Sequence, residues 1–150
     1  MATFTAAVTW ALREGDDFAS GRYSRGHDLR FDGGVTVPGS ASPHVVGAWA
    51  VQEAVDPEEM LVAALSSCHM LVFLHLARLA GFRAAAYRDE AEGVMETIAP
   101  GRQAVTRVTL RPRIDWTGPA PDAERLAQLH HEAHEGCFIA NSVRTEVVVA

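Results

Sequence analysis

A chain of 150 residues with 48% hydrophobic and 21% charged side chains can bury the core of one domain without disulfide staples. A formal net charge of −6 argues against nucleic acid or an anionic membrane as the main partner. The start Met1-Ala2-Thr3-Phe4-Thr5 lacks a secretory pattern, and two cysteines do not make a secreted disulfide scaffold, so a cytoplasmic location is expected.

Residues 4–12 alternate, with Phe4, Ala6, Val8, Trp10 and Leu12 on one side, and predict a half-buried strand. Gly15-Asp16-Asp17 marks a turn, and 18–22 is a candidate hairpin return. Residues 22–34 carry Arg22, Arg25, His27 and Arg30 before Asp32-Gly33-Gly34, which reads as a strand and a turn. Residues 35–50, with Pro38, Gly39, Ser40, Ser42, Pro43 and Gly47, read as the longest irregular stretch, and such stretches are often functional.

A helix over 57–80 has strong boundary signals. Asp56 suits the N-cap, Pro57 the first helical position, Glu59 the capping box and Gly81 the left-handed stop. Its apolar run raises a membrane question, but Ser66, Ser67, His69, His75 and Arg78 interrupt it, so a covered core helix is expected. Residues 83–97 and 103–115 read as two long strands about a Pro100-Gly101 turn. A second helix over 122–135 shows a thin apolar stripe of Leu126, Leu129 and Ala133, and Val143–Val149 closes the chain as a strand. This order predicts an α+β fold with mainly antiparallel sheet, as a single domain over 1–150. One chain has little with which to cover so apolar a helix, so an intimate dimer is expected.

The two cysteines sit in different frames. Cys68 lies in the apolar helix, in Ser66-Ser67-Cys68-His69, and Cys137 follows the His-rich His130-His131-Glu132-Ala133-His134-Glu135-Gly136. Buried free cysteine is common and inert. A helix-interior thiol becomes reactive only if a cation makes it a thiolate, and the macrodipole does not reach that far. The cluster Arg22, Arg25 and Arg30 is the obvious donor of that cation. Glu58 and Glu59 precede Cys68 by ten and nine residues. That is about 15 Å along a helix, so they can hold an arginine but not act on the sulfur. His130, His134 and Cys137 fall on one face if the helix continues past Gly136, yet the segment is not His-Glu-x-x-His, and no metal is expected. His69 and His75 read as satisfied core histidines. Glycine-rich phosphate loops and a Gly-x-Ser-x-Gly elbow are missing.

Asp56-Pro57-Glu58-Glu59, Ser66-Ser67-Cys68-His69 and His134-Glu135-Gly136-Cys137-Phe138-Ile139-Ala140-Asn141-Ser142 together resemble the OsmC/Ohr family of thiol peroxidases. Tyr23-Ser24-Arg25-Gly26-His27, Phe31-Asp32-Gly33-Gly34 and Ser40-Ala41-Ser42-Pro43 extend the likeness over essentially the whole chain. The resemblance implies an intertwined homodimer, with sheets from both chains wrapped around a long central helix from each. It implies reduction of hydroperoxides, organic ones preferred, without a cofactor. Cys68 matches the peroxidatic cysteine, Cys137 the resolving one, Arg25 the catalytic arginine and Glu58 the acid that positions it, with Arg22 and Arg30 as alternatives to Arg25. An external dithiol, a lipoyl-type one being a candidate, resets the pair. Met60, Leu61, Leu65, Phe138 and Ile139 are candidates to line a pocket for an organic tail, or plain core. Two departures are His69 after the first cysteine and Phe138-Ile139, where well-studied members have proline, after the second. A thiol-based sensor or binding protein, and a stress-response structural dimer, are the rival readings.

Overall fold

Asp56 opens the longest helix with a reciprocal cap. Its backbone N–H donates to Glu59 Oε2 at 3.0 Å, and Asp56 Oδ1 accepts from the Glu59 N–H at 2.7 Å. The helix ends in a Schellman motif: Phe82 N–H reaches Ala77 O at 3.0 Å and Gly81 N–H reaches Arg78 O at 3.1 Å. Gly81 takes the required φ of 87°. The sequence signals at both ends are thus the physical boundaries of this helix.

The computed structural model describes all residues, Met1–Ala150. Its elements are β1 (Ala6–Thr9), β2 (His27–Phe31), β3 (Thr36–Gly39), α1 (Pro43–Val46), α2 (Pro57–Leu79), β4 (Ala84–Asp89), β5 (Glu92–Ala99), β6 (Arg102–Leu110), β7 (Pro112–Trp116), α3 (Ala123–Gly136) and β8 (Glu146–Val149), with 3-10 turns at Gly47–Trp49 and Ala140–Ser142. The fold is α+β and all but one strand pairing is antiparallel, as the element order predicts. The chain divides into two compact units, Met1–Met60 and Leu61–Ala150.

The first unit is an antiparallel sheet in the order β1-β2-β3. β1 is shorter than its alternating run and is exposed at all four positions, not half-buried. Phe4 and Val8 stand 90% and 66% open, so alternation here marks a sheet face without a cover in the single chain. The 18–22 hairpin return is only an isolated bridge, Asp17 to Arg22. The stretch 35–50 is more regular than its Gly, Pro and Ser content suggests, because Thr36–Gly39 pairs with β2 despite Pro38. β3 is an edge strand, where a missing N–H is tolerated.

The second unit holds two sheets, β4-β7 and β5-β6-β8, with β8 parallel to β6. Both long predicted strands are broken. Asp89 Oδ1 accepts the Arg111 N–H at 2.6 Å and Asp89 Oδ2 accepts Ser66 Oγ–H at 2.5 Å. One carboxylate thereby replaces a ladder partner where both strands turn from one sheet to the other. Pro112 was the overlooked signal, since it belongs at the first residue of a strand.

Leu65, His69, Phe73 and Ala77 are the buried stripe of α2, spaced by four. Leu65 packs with Val108 and Leu110 of the three-stranded sheet. Phe73 and Ala77 pack with Leu129 and Ala133 of α3 and with Tyr87, Ile114 and Trp116 of the smaller sheet. His69 sits between these two cores. α2 is only partly covered within the chain, contrary to a helix enclosed on most sides: Leu61, Val62, Val72, Leu74 and Leu76 pack at the margins of the core, while Leu71 and Leu79 are 61% and 62% exposed. By length and apolar composition alone α2 could cross a membrane.

Candidate functional site

The structure brings the two cysteines together. Cys68 is half-buried in the middle of α2, and Cys137 is buried at the C-cap of α3. They are free thiols, near enough for their side chains to interact. Burial pushes the Cys137 thiol above its ordinary pKa, the hydrogen bond to Cys68 pushes it the same way, and the backbone N–H groups of Ala140 and Ile139 offset part of this. Ala140 N lies 3.4 Å from Cys137 Sγ. Gly136 lets this helix end approach α2, since a Cβ there would lie 3.1 Å from Val72 Cγ1. The helix stops at Gly136 with Cys137 as its extended C-cap, so His130 and His134 share one face of α3 and Cys137 follows where the helix ends. No group of three or more His, Cys, Asp or Glu side chains is placed to hold a metal ion.

His69 is buried, and its Nε2 lies 3.0 Å from His130 Nδ1. Phe73 stacks on the His130 ring at 4.3 Å and 18°. The sequence treats His69 as a satisfied core histidine; it is half satisfied, because its Nδ1 has no partner. His75, by contrast, is exposed. Burial first, then the neighbouring His130 and His134, press the His69 pKa from 6.5 down to about 4, against a smaller opposite pull from Asp89. Burial also lowers His130. Unfolded, His69 takes up a proton near pH 6.5; folded, it resists until about pH 4. Its contribution to stability is therefore intact above pH 6.5 and lost as pH falls to 4, by about 3 kcal/mol in all. Urea midpoints of the wild type should fall across that range, and those of His69→Gln should fall less. Parallel curves would exclude His69 as the source.

Arg25 lies in the other unit, and its side chain is tightly held. Its Cζ stands 3.5 Å over the Tyr23 ring, and Nη1 donates to Tyr23 O at 2.5 Å and Gly21 O at 3.3 Å. Tyr23 in turn meets Phe18 and Trp10 at ring distances of 4.8 and 5.5 Å, and Trp10 Nε1–H donates to Ser24 O at 2.9 Å. Sequence reading missed this aromatic support, although alternation did single out Trp10. Arg22 is taken by Asp17 at 3.3 Å, and Arg30 is exposed on β2 opposite Ala7 and Thr36. Arg25 is thus the half-buried arginine of the three. Glu58 is half-buried in the first turn of α2, and no ion pair joins it to Arg25 in the single chain. Of the candidate pocket residues, Leu61, Leu65 and Ile139 belong to the core under α2, Met60 is half-buried, and Phe138 is 78% exposed.

A cysteine in a long apolar helix, met by a second cysteine at the end of the next helix, defines an α+β protein built around a thiol pair. The family model for OsmC-like proteins matches residues 50–150. An OsmC-like protein of unknown function from Vibrio cholerae O1 biovar eltor shares 47% identity over 100% of this chain and 99% of its own, with a TM-score of 0.96. The chain belongs to the OsmC-like family. An organic hydroperoxide resistance protein from Elizabethkingia anophelis has the same fold at 19% identity and a TM-score of 0.73, covering 100% of this chain and 96% of its own. The organic hydroperoxide resistance protein OhrB of Bacillus subtilis does so at 24% identity and 0.67, over 99% and 96%. No curated protein matches by sequence.

Proposed function

We propose that this chain is a thiol-dependent peroxidase that reduces organic hydroperoxides to alcohols, and hydrogen peroxide less well. The nearness of Cys68 and Cys137 carries the reading, because a peroxidatic thiol needs a resolving thiol close by. The family membership and the structural likeness to hydroperoxide resistance proteins support it. Cys68, as thiolate, attacks the distal peroxide oxygen; the O–O bond breaks and the alcohol leaves with a proton. The resulting sulfenic acid condenses with Cys137, releasing water and forming a disulfide. An external dithiol, of lipoyl or thioredoxin type, restores both thiols by exchange in the cytoplasm. Arg25, with Glu58 as its positioning acid, stabilises the thiolate and the negative charge that develops on the peroxide. Steady-state loss of cumene hydroperoxide and hydrogen peroxide, with each dithiol system, tests this. Many turnovers per chain, faster with cumene hydroperoxide, are expected. Oxidation of the thiols without turnover would point instead to a redox sensor.

The working form is a homodimer. Leu71, Leu79 and Phe138 in one unit, and Phe4 and Val8 in the other, are exposed large apolar residues. Covering each fully is worth ~1.5–3 kcal/mol, so together they rival the stability of a whole domain. The thermal midpoint should therefore rise with protein concentration. A folded, active monomer at micromolar concentration in sedimentation would contradict this.

A further inference from the structure

Three histidines stand beside the thiol pair with no part in that scheme. His69 follows Cys68 on α2, while His130 and His134 precede Cys137 on one face of α3. The two helices therefore meet in two layers: Cys68 with Cys137, and His69 Nε2 with His130 Nδ1 at 3.0 Å. His134 lies between these layers along α3, one helical turn from His130 and one from Cys137. It is near enough to His69 for their charges to interact. The Nδ1 atoms of His134 and His69 are closed to solvent and have no hydrogen-bond partner. A buried ring nitrogen left unpaired costs ~1–3 kcal/mol, and such groups are kept where they do chemistry or hold a water.

We propose that His134, backed by the His69–His130 pair, carries the proton in the disulfide-forming step. The proposal rests on the peroxidase reading above. Cys137 is buried and keeps its proton, and a protonated thiol is a poor nucleophile. As Cys137 Sγ attacks the Cys68 sulfenic sulfur, the S–S bond forms and the S–O bond breaks. The Cys137 sulfur is oxidised and the Cys68 sulfur reduced. A side-chain turn brings the unpaired ring nitrogen of His134 to the thiol; the nitrogen takes the thiol proton and delivers it to the departing hydroxide, which leaves as water. Burial disfavours a charge on either member of the His69–His130 pair, which lessens the like-charge barrier against a proton on His134.

The test resolves the steps. Reduced protein is mixed with one equivalent of cumene hydroperoxide, and sulfenic acid (trapped with dimedone) and disulfide are followed in time. His134→Gln should form the sulfenic acid at the wild-type rate and close the disulfide about 10²-fold more slowly. His134→Ala should show the same loss, recovered in proportion to added imidazole, which a purely structural role would not allow. In the wild type the closing step should be slower in D2O, a readout that needs no variant to fold. Closure at the wild-type rate in both variants, a loss that imidazole leaves untouched, or closure insensitive to D2O would each overturn the proposal. If the wild type formed no sulfenic acid, the peroxidase reading itself would fall first.

Discussion

Cys68→Ser should abolish hydroperoxide consumption, while Cys137→Ser should complete one rapid turnover and then stall. The asymmetry follows from the two environments. Cys68 is half-buried in the middle of α2, and Cys137 is buried with its proton held by burial and by Cys68. Without Cys137 the Cys68 sulfenic acid has no resolving thiol and should pass to the sulfinic state with excess peroxide. Burst experiments measure this directly: an amplitude of one hydroperoxide per chain for Cys137→Ser, and none for Cys68→Ser. Wild-type turnover in Cys68→Ser would reverse the assignment.

Arg25→Ala should slow the reaction of Cys68 with hydroperoxide by about 10²- to 10³-fold, the usual loss when one anion-stabilising donor is removed. On the positioning role proposed for Glu58, Glu58→Ala should act in the same direction but more weakly, because it leaves the arginine's charge in place. Arg22→Ala should change little, since Arg22 is spent on a surface ion pair with Asp17. Rates of hydroperoxide reaction and of Cys68 alkylation that are equal in wild type and Arg25→Ala would remove Arg25 from the chemistry.

Where local chemistry decides structure, the sequence was readable. Asp56, Glu59 and Gly81 mark both ends of α2 because caps and left-handed stops depend on residues a few positions apart. Asp122 likewise caps α3 by accepting the Arg125 N–H at 2.8 Å. The strands were less readable, because their breaks come from a long-range contact. Asp89 meets Ser66 and Arg111, 23 and 22 residues away, and periodicity carries no trace of that. The cysteines could be singled out as a pair by family resemblance, but their contact depends on how α2 and α3 cross, which spacing does not encode. The same holds for His69 and His130, 61 residues apart. Tyr23 beneath Arg25 is a local contact, and the two-residue spacing was there to be weighed. Its partners Trp10 and Phe18 were not, because a hairpin with a single bridge brings them together.

Cys68 and Cys137 are proposed to act as one redox couple. Its most direct measurement is a single turnover: reduced wild-type protein, a limiting amount of cumene hydroperoxide, a count of remaining thiols, and peptide mapping of the product. Each hydroperoxide should remove two thiols and yield a Cys68–Cys137 disulfide within one chain. Loss of a single thiol per hydroperoxide, or a disulfide joining two chains, would contradict it.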